Sequence, residues 1–388
     1  MTALAPISEI EAPDASKSAK LARAPSTPDR PVAIYEVHLD SWMRAPEEGN
    51  RPLTCAEIAP RLADHVARMQ FTHVQIQAPG DVVGLKFLID YLRGRGVGVI
   101  LNADFSPGAA PPLAGGVLDA DGECARGRTI FSHCAYLSDV GWADDTCAYF
   151  SLDPLFRKLR HTQFRRRDGY AFAANYILPL SHELVARPRP SLLSMMPGDE
   201  WQKFANMRLL FAYMYLLPGK KLVFMGDEFG QLNSWRPETS IDWHLVAQPN
   251  NHRKLMDWVA ALNTFYFHEP ALHQTDSVAA GFQWIDTSDA ASSVISFLRI
   301  DAAGRDTILA AFNFTPVPRH NYRVGAPRGG FWTEALNSDA LEHGGSGQGN
   351  LGGVEAAPFG WNFLPHSLML TLPPLGAVVL KAPLNDVK

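Results

Sequence analysis

Cysteine is scarce in this chain. There are four in 388 residues, Cys55, Cys124, Cys134 and Cys147, and none shows CxxC spacing. That excludes a disulfide-stapled scaffold and a Cys-based zinc site, and it suits free thiols in a reducing cytoplasm. Long apolar runs are missing too: none approaches the roughly 18 residues of a spanning helix. The first residues lack the apolar core of a signal peptide. Charge of one sign is not in excess. Thirty-five basic against 40 acidic residues leave a net −5, which offers no bulk attraction to nucleic acid or to anionic membrane. The Gly-rich stretch Gly344–Gly353 reads as a loop with no strand directly after it, so it lacks the context of a nucleotide-binding fingerprint. No metal or cofactor motif is found, and none is expected.

What is present is an ordinary globular composition, 46% apolar and 19% charged, with enough chain for a large core and more than one domain. Residues 1–30 are rich in Ala, Pro, Ser and charge without an apolar period, and read as a disordered lead. The informative stretch runs from Tyr176 to Asp242. Two short apolar runs, Tyr176–Leu180 and Lys221–Met225, each end in polar residues. The first delivers Ser181, His182 and Glu183; the second delivers Gly226, Asp227, Glu228 and Gln231. Between them Trp201, Phe204, Met207, Leu210, Phe211, Met214 and Leu217 make one stripe of a helix. Asp199 is placed to cap its start, and Pro218–Gly219 stop it. This is a strand–helix–strand unit of a parallel sheet. Chemistry in such barrels collects at the C-terminal strand ends, so His182, Glu183, Asp227 and Glu228 are the candidate site. Solvation of loop ends is the plainer reading of the same residues.

Upstream, Ile34–Leu39, Thr72–Gln77 and Val97–Asn102 read as strands, and Ala56–Met69 and Asp81–Arg95 as helices. Residues 106–128 are Gly-, Ala- and Pro-rich and read as loop. Residues 249–274 are helical. From Gly281 the period changes to two, with short runs at Phe282–Ile285, Val294–Arg299, Thr307–Phe314, Tyr322–Val324, Trp332–Leu336, Ser367–Leu372 and Ala377–Leu380. That is the pattern of an antiparallel β-sandwich.

LPLSHELV, SLLSMMPGDEWQKFANMRLL, PGKKLVFMGDEFGQ and SIDWHL are similar to the last third of the catalytic barrel of glycogen (1,4-α-glucan) branching enzymes, of the α-amylase superfamily. AIYEVHLDSWMR and FTHVQIQAP are similar to its first two strands. NFTPVPRHNYRVGAPRGGFWTEALNSDA through HSLMLTLPPLGAVVL is similar to its C-terminal β-domain. SDVGWADDTCAYFSLDPLFRKLRHTQ resembles the segment after strand six. The resemblance implies α-glucan as ligand and retaining transfer of a cleaved chain to a 6-hydroxyl.

It also implies losses. The Asp-Trp-Val-Pro-Ala-His segment that follows strand three is replaced by Asn102–Pro107. The motifs that carry the nucleophilic Asp on strand four and the acid/base Glu on strand five are not found, nor is an N-terminal carbohydrate-binding module. The third acidic position, the strand-seven Asp, is filled by Glu183; His182 is retained. Retaining transfer needs two carboxyl groups about 5–5.5 Å apart across the scissile bond. Asp139 maps to an Asn of the family, and Asp144 and Asp145 lie at a helix start.

The expected fold is therefore α/β plus all-β: an incomplete or rearranged (β/α) TIM-type barrel over 31–274, then a C-terminal antiparallel β-sandwich over 275–388. Losing two strands opens a barrel or forces a rearranged closure, and an open edge would favour oligomers or aggregates. The expected function is a branching-enzyme homologue that has lost transglycosylation. The alternatives are an inactive α-glucan-binding or enzyme-partner protein and an active enzyme with a rebuilt site at Asp227 and Glu228. Among the tryptophans at 42, 142, 235, 243, 332 and 361, core packing is the expectation for most. Trp235, in a polar loop, is the candidate sugar platform.

Overall fold

Strands and their order in space decide where the candidate residues meet. The computed structural model describes residues 30–77, 82–102, 122–125, 128–131, 134–186 and 188–383; the N-terminal lead of the sequence reading lies outside them. Eight strands build the first sheet: β1 (Ala33–His38), β2 (His73–Gln77), β3 (Gly98–Asn102), β4 (Gly122–Ala125), β5 (Arg128–Phe131), β6 (Cys134–Ser138), β7 (Tyr176–Leu180) and β8 (Lys220–Phe224). They close into a barrel in the order β1-β8-β7-β6-β5-β4-β3-β2. The principal helices are α1 (Cys55–Arg68), α2 (Val82–Gly94), α3 (Val140–Phe150), α4 (Glu200–Leu216) and α5 (Asn251–His268).

The β7–α4–β8 unit forms as the pattern predicts. β7 and β8 are parallel neighbours, Ile177 opposite Lys220 and Leu180 opposite Val223. Asp199 caps α4 by accepting from the Gln202 amide, and Gln202 returns a bond to the Asp199 backbone, a reciprocal capping box. One detail differs. The stripe predicts a helix buried on one face, yet every residue from Phe204 to Leu216 is buried. A helix enclosed all round lies between two layers, and here the C-terminal domain supplies the second. Tyr213 of α4 packs edge-on against Phe312 at 5.7 Å, and the Arg208 guanidinium reaches the Ser338 carbonyl at 2.7 Å.

The far side of the barrel corrects one expectation and decides between two others. The span 106–128, read as loop, contains β4, and of an open edge and a rearranged closure the structure has the rearranged closure. β4 runs parallel to β3, β5 runs antiparallel to both β4 and β6, and β6 runs parallel to β7. The physical reason is connection length. A parallel crossover needs a dozen or more residues, whereas an antiparallel step needs about two. Ala125 pairs with Arg128 and Phe131 with Cys134, so two antiparallel steps restore the strand number. With every edge paired, edge-driven aggregation loses its cause. Val32, Ile34, Ile100, Tyr136, Ile177 and Leu222 pack together as a separate small core.

The C-terminal strands are β9 (Phe282–Asp286), β10 (Val294–Ile300), β11 (Thr307–Asn313), β12 (Arg319–Ala326), β13 (Gly330–Asn337), β14 (Gly353–Ala356), β15 (His366–Leu372) and β16 (Gly376–Lys381). One sheet has the order β9-β10-β11-β16-β13-β14, and β12 pairs with β15. β14 overturns the reading of Gly344–Gly353 as a loop with no strand directly after it. Its four residues pair antiparallel with β13, too short and glycine-poor in period-two signal to stand out. It is an edge strand with no helix after it, so a nucleotide-binding turn is still not formed.

Candidate functional site

β1 organises the barrel mouth. Side chains alternate along a strand. Tyr35 and Val37 join the large core that includes α1, while Ile34 joins the small one. Glu36 follows Ile34 on the inner face and is 1% exposed. A lone carboxylate there would be costly, and this one is surrounded by donors. Gln75 Nε2 donates to its Oε1 at 3.1 Å, Gln77 Nε2 donates to the same oxygen, the His182 amide donates to its Oε2 at 3.0 Å, and His182 Nδ1 lies 3.0 Å from Oε1.

His182 is therefore an internal ion-pair partner. Burial works to lower its pKa, but the Glu36 hydrogen bond and charge, with Glu183 behind them, raise it above the usual 6.5. His38, on the same face of β1, is shifted the other way. Burial lowers it despite the opposing Asp40, and the neighbouring His182 adds to the lowering. Trp235 roofs the two imidazoles. Its ring lies 5.3 Å from His38, 6.1 Å from His182 and 5.1 Å from Phe224, each edge-on. Its Nε1 donates to Ser41 Oγ at 3.0 Å, and that hydroxyl is 2.8 Å from His38 Nδ1. Half-buried and tethered, the ring covers the mouth.

The two acids after β8 lie in the wall. Glu228 is fully enclosed: Tyr35 Oη donates to its Oε1 at 2.9 Å, His65 Nε2 of α1 lies 3.2 Å from that oxygen, and the Gly226 amide donates to Oε2 at 2.6 Å. Trp42 Nε1 in turn donates to Tyr35 Oη at 3.2 Å. Asp227 is 2% exposed and its Oδ2 has no partner. Burial, then the charges of Glu228 and Glu36, raise its pKa well above the usual 3.8. Gly226 makes the turn into these residues with φ 93°, a conformation that suits glycine.

Glu183 stands apart. It sits in the single-turn helix His182–Val185 and is exposed, with no hydrogen bond to a described residue. The structure thus brings His182 together with Glu36 and places Trp235 over His182 and His38, with Asp227 buried in the wall near enough to feel the Glu36 charge. It puts Glu228 behind the wall and Glu183 in solvent. Glu36, Gln75 and Gln77 were missed in the sequence because they sit inside strands, where a polar residue every second position is ordinarily read as the solvent face. Asp139 is the N-cap of α3 and is held by Arg167 Nε at 2.8 Å and Tyr170 Oη at 3.2 Å; it is part of the framework. Trp42, Trp142 and Trp332 are buried, whereas Trp361 is 48% exposed.

Comparison with known proteins agrees with this architecture. Residues 284–383 match the family described as the α-amylase C-terminal all-β domain. A 1,4-α-glucan branching enzyme of Aquifex aeolicus is 36% identical, covering 91% of this chain and 77% of its own. That of Aromatoleum aromaticum is 36% identical over 93% and 77% respectively. The Aquifex alignment extends over 486 positions, more than the 388 residues of this chain, so internal sequence of that relative has no counterpart here. Among solved structures, AmyP in complex with maltose superposes with a TM-score of 0.62 at 12% identity, covering 91% of this chain and 96% of that one. An Anoxybacillus α-amylase gives 0.60 at 13%, covering 93% and 99%; both show the fold. Barrel, C-terminal sheets and sequence together show that the chain belongs to the 1,4-α-glucan branching enzyme family of the α-amylase superfamily.

Proposed function

We propose that this chain is a cytoplasmic α-glucan-binding member of its family that has lost transglycosylation, with its domains divided near residue 275. One observation carries the reading. Of the acids that β1, β7 and β8 deliver to the mouth, Glu36, Asp227 and Glu228 are buried. Glu36 is surrounded by donors, Glu228 accepts from Tyr35 with His65 3.2 Å away, Asp227 is buried with its pKa raised, and exposed Glu183 makes no hydrogen bond to a described residue. Retaining transfer needs one carboxylate to attack and another to protonate the leaving oxygen across an accessible bond. Ligand class follows from the family and from the fold neighbours, one of which was solved with maltose and another variant with maltotriose. Within this reading His182, Asp227 and Glu228 keep the mouth in shape, and Trp235 offers the sugar-facing ring there.

The test pairs two measurements on purified protein: iodine staining of amylose after incubation, and co-sedimentation with glycogen. Sedimentation with unchanged staining is the expected outcome. Loss of staining that disappears in Glu183→Gln or Asp227→Asn would show a rebuilt site.

A further inference from the structure

We propose that the turn between β14 and β15 is a second α-glucan-binding site, remote from the barrel mouth and built on Phe359, Trp361 and Phe363. It rests on the reading of this chain as a glucan binder. Trp361 and Leu364 exchange both backbone hydrogen bonds, at 3.0 and 2.9 Å, and close a two-residue turn. Its central residues, Asn362 and Phe363, have φ of 50° and 61°. Two positive φ values define the hairpin turn whose second central position glycine fills most easily. A bulky aromatic residue there is an outlier. It gains no packing in return, because Phe363 is 110% exposed, and Phe359 is 66% exposed beside it. Strain without internal contact points to an external partner.

The turn is braced. Asn362 Oδ1 accepts from the Gly325 amide at 3.1 Å, and its Nδ2 donates to Asp286 Oδ2 at 3.1 Å. A Cβ on Gly325 would stand 2.3 Å from the Trp361 carbonyl oxygen, so only glycine admits the turn this closely. Rings held in advance lose little freedom on binding.

The rim selects the ligand. The Arg323 guanidinium lies 5.6 Å from the Trp361 ring centroid and makes no hydrogen bond to a described residue, which leaves its donors for hydroxyl groups. Asp286 is occupied by the Asn362 amide, so the polar group offered at the Trp361 ring is the guanidinium. A chain of glucose units presents apolar C–H faces to aromatic rings and hydroxyl edges to a guanidinium.

The experiment is native electrophoresis of the full chain through gels with and without glycogen, comparing the parent with Trp361→Ala and Phe363→Gly. The parent is expected to be retarded, and each variant to bind about five- to tenfold more weakly. Phe363→Gly should melt no lower than the parent, because glycine relieves the positive φ, so weaker binding cannot come from unfolding. If all three proteins are retarded alike, this site is wrong while glucan binding stands. If the parent is not retarded, both readings fail. Dimers in light scattering that dissociate in the variants would overturn the proposal in favour of an interface between copies.

Discussion

The two halves of the barrel were closed by different means. On one side, β7, β8 and β1 are parallel neighbours, with α4 joining β7 to β8 and polar residues delivered just past the strand ends. On the other, residues 122–138 fold as β4, β5 and β6 with alternating direction. Both sides satisfy the backbone, and both supply strands to the same closed sheet. They differ in what they present. A parallel strand followed by a helix places its last residues at one rim. An antiparallel ribbon sends every second strand end to the opposite rim. Closure and chemistry are therefore separable demands: closure needs strand number and tilt, and chemistry needs strand ends in register at one face.

Four changes would sharpen or break this contrast. The largest effect is expected on the parallel side. Glu36→Ala strips the acceptor from Gln75, Gln77 and His182, and should cost about 3–5 kcal/mol in urea unfolding, as removal of one member of a buried pair does. A cost near zero would mean that the network does not hold the mouth.

On the antiparallel side, Thr129→Pro removes an N–H from the strand that pairs with both Cys124 and Tyr136. A loss of about 3 kcal/mol is expected, and the freed edges should appear as oligomers in light scattering. A monomer of unchanged stability would show that β5 does not close the barrel.

Asp227→Asn should stabilise. The folded carboxyl has a pKa raised well above 3.8. Its contribution is complete below that unfolded value and is lost as pH climbs through the folded one. Parent and variant should match near pH 4, with the variant ahead by on the order of 2 kcal/mol above neutrality. The reverse order would assign Asp227 an ionised partner.

The smallest expected effect belongs to His182→Gln. The folded pKa of His182 is raised above 6.5, so its contribution is full below 6.5 and fades as pH rises through the folded value. The variant should lose on the order of 1 kcal/mol at pH 6 and progressively less by pH 9. A pH-independent difference would mean that the ring acts by packing alone.

These comparisons also explain what the sequence disclosed. β7, α4 and β8 were legible because the punctuation is local: Asp199 with Gln202 starts the helix, and Pro218–Gly219 ends it. The sandwich strands were legible from their period of two. β4 and β5 were not, because four-residue strands among Gly, Ala and Pro carry too little pattern, and their pairing is set by what the barrel needs to close. The site was half legible. His182 and Asp227 follow their strands in sequence, but Glu36 joins them only through a fold that brings β1 beside β8. The burial of Glu228 depends on Tyr35 and His65, far away in the chain. Glu183 looked equivalent to His182 beside it, yet one turn of helix sends it to solvent.

The central proposal is that this family member keeps the scaffold without, among the described residues, the paired carboxyl groups of retaining transfer. The most direct measurement is the proton NMR spectrum of amylose incubated with purified protein, read at the anomeric signal of α-1,6 links. The account predicts no growth of that signal, for the parent and for Glu183→Gln alike. An α-1,6 signal that grows with the parent and vanishes with Glu183→Gln would contradict it.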